Sequence, residues 1–112
     1  MPRILSSREA ADRLSLDLEI GPELGCFEGH FDELPILPGV LQIDWAIRIG
    51  CQHWALAPDV RQLSHLKFMQ VIRPGTALRL ELHWRSERRE LAFSFRDDTR
   101  ELSCGRAVLS DV

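Results

Sequence analysis

Val40-Leu41-Gln42-Ile43-Asp44-Trp45-Ala46-Ile47-Arg48-Ile49-Gly50-Cys51-Gln52-His53-Trp54-Ala55-Leu56 is the stretch that decides the fold. Val40, Leu41, Ile43, Trp45, Ala46, Ile47, Ile49, Cys51, Trp54, Ala55 and Leu56 place apolar side chains on nearly every face of a helix, and such a helix must be buried. Ala57-Pro58-Asp59 ends it, because proline disfavours helical geometry in the residue before it and has no N–H to donate. With Asp44 and Arg48 inside it and a length of 17 residues, the segment falls short of the ~20 apolar residues of a membrane span.

Everything after this helix reads as strand. Residues 64–73 form one candidate, with Leu66 and Phe68 on one face, and Arg73-Pro74-Gly75-Thr76 makes the turn that follows. Leu78, Leu80, Leu82 and Trp84 alternate with Arg79, Glu81, His83 and Arg85; Leu91, Phe93 and Phe95 then alternate with Ala92, Ser94 and Arg96. Asp97-Asp98-Thr99 turns the chain, and residues 101–109 supply a last strand. Ahead of the helix, Ser6-Ser7-Arg8-Glu9 fits a capping box and predicts a short helix through Ala11. Leu14, Leu16, Leu18 and Ile20 alternate with polar residues as a half-buried strand does. Gly21-Pro22 breaks that strand, and a turn-rich stretch runs from Glu23 to Pro38.

An antiparallel sheet with one apolar face needs a cover, and the helix near residues 40–56 is the one element apolar enough to supply it. The predicted class is therefore α+β, an antiparallel sheet wrapped around one long buried helix, with residues 1–112 forming a single domain. One curved sheet leaves part of such a helix uncovered, and in a chain of 112 residues a second copy is the natural lid. A dimer is expected on burial alone.

Composition narrows the function classes. The 45% hydrophobic and 28% charged residues match an ordinary globular domain. Cys26, Cys51 and Cys104 are widely spaced, with no Cys-x-x-Cys pair, so they read as reduced and structural. His30, His53, His65 and His83 show no compact ligand spacing, and no metal is expected. The formal charge of -3 hides nine acids against three bases in residues 1–44 and eleven bases against eight acids in residues 45–112. The bases are scattered through strands without interleaved aromatics, which argues against nucleic acid. Arg61, Lys67, Arg73 and the Arg85, Arg88 and Arg89 group fit an acidic protein partner, or solvated strand faces. The first residues lack an apolar h-region, and the expected location is cytoplasmic, away from membranes.

Two residues stand out chemically. His30 lies in Phe27-Glu28-Gly29-His30-Phe31, on a turn just ahead of the helix, where an imidazole is a candidate base. Asp44 lies inside the helix between Ile43, Trp45 and Ile47; lost solvation there raises a carboxyl pKa toward the range of a proton donor. On spacing alone a histidine in such a loop is more often one that hydrogen-bonds its turn, and an aspartate in an apolar helix can be simply ion-paired.

Read whole, Gly29-His30-Phe31, Pro35-Ile36-Leu37-Pro38-Gly39-Val40 and an acid fourteen positions after the histidine resemble the hotdog-fold 3-hydroxyacyl-[acyl carrier protein] dehydratases. His65-Leu66-Lys67-Phe68 followed by Arg73-Pro74-Gly75 looks like that family's second signature. Pro-Ile-Leu-Pro-Gly-Val-Leu-Gln-Ile-Asp-Trp-Ala is most similar to the small dehydratases of aryl polyene biosynthesis. The resemblance implies a hotdog fold, no cofactor, and an acyl carrier protein bearing the substrate. It also implies a homodimer, or a heterodimer with a related hotdog chain. His30 matches the histidine that takes a proton from C2 of the 3-hydroxyacyl thioester, and Asp44, from the neighbouring chain, matches the acid that protonates the departing hydroxyl. Gly39 and Val40 match the helix start whose N–H groups hold the thioester oxygen as enolate charge develops, Gly39 as main donor. Phe31, Leu37, Ile43 and Phe68 would line an acyl tunnel.

Two departures stand beside this. Many relatives carry an amide four residues after the acid, where this chain has Arg48; unless it points away, Arg48 favours the carboxylate of Asp44 and opposes proton donation. Phe31-Asp32-Glu33-Leu34-Pro35 is also more acidic than the family's usual stretch. Competing readings are a hotdog thioesterase and a weakly active hotdog subunit that stabilises a catalytic partner.

Overall fold

A computed structural model describes residues 2–21 and 36–110. Within them lie strands β1 (Arg3–Glu9) and β2 (Arg13–Glu19), helix α1 (Gly39–His53), and strands β3 (Val60–Phe68), β4 (Ala77–Arg85), β5 (Glu90–Arg96) and β6 (Glu101–Leu109). The strands form one six-stranded sheet in the order β1-β2-β4-β5-β6-β3, and every adjacent pair is antiparallel.

The core is what the alternation dictates. Leu14, Leu16 and Leu18 of β2, Leu78, Leu80 and Leu82 of β4, and Leu91, Phe93 and Phe95 of β5 all point to the buried side. Helix α1 lies on that side and meets it with Gln42, Trp45, Ala46, Ile49 and Gly50. Contact is close at Gly50, where an added Cβ would stand 2.6 Å from Leu91 Cδ2; glycine lets the helix backbone settle against the sheet. The helix is not buried all round in the single chain. Val40, Asp44, Arg48 and Gln52, four residues apart, form a stripe on its outer side, with Val40 72% exposed.

The chain starts differently from the capping-box reading. Ser6-Ser7-Arg8-Glu9 belongs to β1, with a register shift between Ile4 and Ser6. The cap-forming side chains found better partners across the strand pair: Ser6 Oγ donates to Asp17 Oδ2 at 2.7 Å, and Arg8 reaches Asp17 at 3.3 Å and Ser15 at 3.2 Å. Strand β3 also begins earlier than expected, at Val60 rather than at residue 64. Its first residues pair with Ala107–Leu109, and the register shifts between Ser64 and Lys67, where His65 takes φ 54°. Residues 69–72 leave the sheet and serve as braces, Met69 and Gln70 N–H to the Leu102 carbonyl and the Ile72 carbonyl to Leu37 N–H.

The Ser6 hydroxyl, then Arg8 and Arg79, hold Asp17 well below its ordinary carboxylate value of 3.8, at about 2. A depressed carboxyl pKa stabilises the fold above the unfolded value and loses that contribution as pH falls through the folded one. Wild type is therefore expected to lose stability more steeply than Asp17→Asn between about pH 4 and pH 2, the two converging at the lower end. Parallel acid-unfolding curves across that window would show that the β1 contacts contribute nothing.

Among the described residues no helix is long and apolar enough to cross a membrane.

Candidate functional site

Pro38 is extended, with φ -62° and ψ 144°, and α1 begins at Gly39. The first helical bonds run from Leu41 and Gln42 N–H to the Pro38 carbonyl, at 3.1 and 3.2 Å. Gly39 and Val40 N–H therefore remain available at the positive end of the helix. Beside them opens a cleft of about 280 Å³ lined by Ile36, Leu37, Gly39, Gln42, Phe68, Met69, Gln70 and Val71. A Cβ at Gly39 would stand 2.9 Å from Phe68 Cε1, so glycine is what allows the ring to lie against the helix start.

The expected site residues fall into three groups. Leu37, Gly39 and Phe68 come together around this cleft, Leu37 buried and Phe68 48% exposed. Val40 and Asp44 lie on the outer stripe of α1, one turn apart, and Ile43 packs against the core instead of the cleft. His30 and Phe31 lie outside the described residues.

Asp44 is not desolvated in the single chain, contrary to the expectation drawn from its apolar neighbours: its side chain is 44% exposed. Arg48 does not point away. Its Nε stands 2.9 and 3.0 Å from the two carboxylate oxygens, because the four-residue spacing puts both on one side of the helix. Ile43, Trp45 and Ile47 flank Asp44 in sequence but lie around the helix toward the sheet.

The basic face also divides. Gly50 abuts Leu91 while Gly39 abuts Phe68, so the turn carrying Arg85, Arg88 and Arg89 sits at the far end of a helix ~22 Å long. Those arginines have local work: Arg85 reaches Glu90 at 3.2 Å, and Arg89 lies 5.6 Å from the Trp84 ring centre and donates to the Ser110 carbonyl. Arg61 is at that end too, since neighbouring Val60 pairs with Leu109. Lys67 and Arg73, next to Phe68 and Ile72, are the members near the cleft.

Gln42 was not singled out by the sequence reading. It is 3% exposed on the sheet side of α1, where its Nε2 donates to the Leu37 carbonyl at 3.1 Å and its Oε1 accepts from Ser103 Oγ at 2.6 Å. The available signal was an amide three residues after Gly39 in an otherwise apolar helix. Burial raises the pKa of Cys51 and is the main cause of the rise at Cys104, so both thiols stay protonated and poorly nucleophilic near neutral pH. A larger hollow, about 440 Å³, lies on the outer face of the sheet among Arg13, Lys67, Glu81, His83, Arg96, Glu101 and Arg106. It is a solvated charged face without a helix terminus, and chemistry is better served by the cleft.

A model of the ApeI-like family, described as ApeI dehydratase, matches residues 6–106. The chain belongs to the ApeI-like family. A chain of the dehydratase heterocomplex ApeI:P from Xenorhabdus doucetiae is 31% identical, with a TM-score of 0.85 and 96% of each chain covered. An uncharacterized protein from Erwinia carotovora subsp. atroseptica is 32% identical, with a TM-score of 0.80 over 98% of this chain and 96% of that one. Among curated proteins, the 3-hydroxyacyl-[acyl-carrier-protein] dehydratase FabZ of Desulfotalea psychrophila is 30% identical over 60% of this chain and 51% of its own length. The chain thus spans about half the length of the curated relatives it matches. Mouse thioesterase superfamily member 2, 15% identical with a TM-score of 0.66, shares the fold, which is the hotdog fold of an antiparallel sheet around one helix.

Proposed function

We propose that this family member dehydrates 3-hydroxyacyl thioesters carried on an acyl carrier protein, giving trans-2-enoyl thioesters and water, as a single hotdog unit in the cytoplasm. The observation that carries the reading is the helix start at Gly39, with free N–H groups beside an apolar cleft and Asp44 a little over one turn along. His30 removes the C2 proton, and the electrons move onto the thioester oxygen, where the Gly39 N–H meets the developing charge. Asp44 gives a proton to the 3-hydroxyl, which leaves as water. The thioester is its own electron sink, and no cofactor is needed. Leu37 and Phe68, with Phe31, contact the acyl chain; Val40 adds a second N–H, while Lys67 and Arg73 steer the acidic carrier.

The reading includes a second hotdog chain. β3 is an edge strand, exposed at all its residues but Val60 and Ser64, and Leu63, Leu66, Phe68, Met69 and Val71 are exposed on it and just beyond it, as is Val40 on the helix. An uncovered edge with that much apolar surface is a pairing surface. A related hotdog chain and an identical copy both fit it, and the Xenorhabdus neighbour is itself part of a heterocomplex.

The test incubates purified protein, alone and with its candidate partner, with 3-hydroxyacyl and 2-enoyl carrier thioesters, following interconversion and free thiol together. Interconversion without thiol release is expected. Thiol release alone would replace the reading by a thioesterase, and no turnover in any combination would leave a non-catalytic subunit.

Arg48 gives a further expectation. Its guanidinium stands against both oxygens of Asp44, so it competes with the substrate hydroxyl for the carboxyl group. An exposed pair is worth ~0.2–1 kcal/mol, so Arg48→Gln is expected to raise kcat by up to about fivefold, read in the same assay. A large loss instead would put Arg48 in the catalytic machinery.

A further inference from the structure

We infer that the buried chain Ser103–Gln42–Leu37 is a positioning device that aims the Gly39 amide into the cleft; this rests on the proposed role of Gly39 toward the thioester oxygen. Ser103 is fully buried in β6 and Gln42 is 3% exposed on α1. The Leu37 carbonyl can only accept, so the amide must turn Nε2 toward it, at 3.1 Å. That leaves Oε1 for Ser103, whose hydroxyl donates at 2.6 Å. Leu37 N–H is bound in turn by the Ile72 carbonyl at 2.7 Å. Both backbone polar groups of Leu37 are thereby fixed, one to the brace after β3 and one through Gln42 to β6, two residues before Gly39.

The same strand residue governs the other wall of the cleft. Ser103 pairs with Phe68 in the sheet register, and the Phe68 ring lies against Gly39. Displacing β6 from Gln42 would move the amide donor and the acyl-contacting ring relative to each other.

Stability accounts for one bond of this amide, the one to the buried Leu37 carbonyl, and gives little reason for the other. Leucine at 42 with alanine at 103 would remove the two side-chain partners together, which is nearly neutral when the shape is kept, and would leave the buried Leu37 carbonyl as the one group without its partner. What the apolar pair lacks is direction. A satisfied buried network admits one arrangement of its members, and a helix start held only by apolar contacts can slide.

Gln42→Leu/Ser103→Ala is therefore expected to stay folded at assay temperature, with a thermal midpoint several degrees below wild type from the one orphaned carbonyl. Its kcat on a 3-hydroxyacyl thioester should fall ~10–100-fold, the scale for a misplaced reacting geometry, with KM nearly unchanged, because the interaction lost is one made to charge that develops in the transition state. Ser103→Thr, which keeps the hydroxyl, should hold near-wild-type kcat. Hydrogen exchange at the Leu37 and Leu41 amides, whose bonds to the Ile72 and Pro38 carbonyls hold the helix start, should be faster in the double variant. An unchanged kcat in an active enzyme, or a KM rise that accounts for the loss, would overturn the inference. If wild type turns over no thioester, the functional reading fails by itself, and unchanged exchange at Leu37 and Leu41 would overturn the positioning role independently. Should the double variant not fold, Ser103→Ala alone, which removes one oxygen, is read by the same measures.

Discussion

His30→Ala and Asp44→Asn are each expected to lower turnover of a 3-hydroxyacyl thioester ~10²–10⁴-fold, the contribution of a positioned base or acid, with the thermal midpoint little changed. The fold should tolerate both: Asp44 lies on the outer stripe of α1, and its visible partner is the exposed Arg48. Mixing the two variants separates the possible placements of the site. If His30 acts with Asp44 of a neighbouring identical chain, each mixed dimer holds one site with both wild-type groups. Half of randomly formed dimers are mixed, so recovery should approach about a quarter of wild-type activity. No recovery would place both groups in one chain or require a non-identical partner. Full activity in either single variant would remove that residue from the mechanism.

Phe95→Ala is expected to cost ~3–5 kcal/mol, a large share of the ~5–15 kcal/mol that separates a domain from its unfolded state. Phe95 is fully buried on β5, between Leu80 of β4 and Ser103 of β6 in the register, with its ring edge-on to Phe93 at 6.1 Å. Removing it empties the centre of the sheet's inner face, where backbone pairing on both sides prevents collapse into the gap. Urea unfolding should show a lower midpoint with an unchanged slope, while Phe95→Leu, which keeps most of the volume, should lose far less. A loss below ~1 kcal/mol for the alanine variant would mean that the strands close over the site.

Alternation by itself determined β2, β4 and β5, because a period of two survives any tertiary arrangement that buries one face, and β6 followed from the turn at Asp97-Asp98-Thr99. The apolar run from Val40 likewise determined the helix, and the Gly-His-Phe and Pro-Gly-Val pattern determined the family. Tertiary structure decided the rest. Ser6 and Arg8 read locally as a cap, but Asp17 offered them partners across a strand pair, a contact eleven residues away that no local rule contains. Asp44 read as desolvated by its sequence neighbours; on a helix those neighbours turn to another face, and the residue four along, Arg48, is the one that touches it. Arg85, Arg88 and Arg89 read as part of one basic surface with Lys67 and Arg73 until the length of α1 separated them. Gln42 carried no signal beyond its polarity, since its meaning comes from Ser103, sixty-one residues away, and only the docking of α1 on β6 brings the two within hydrogen-bonding distance.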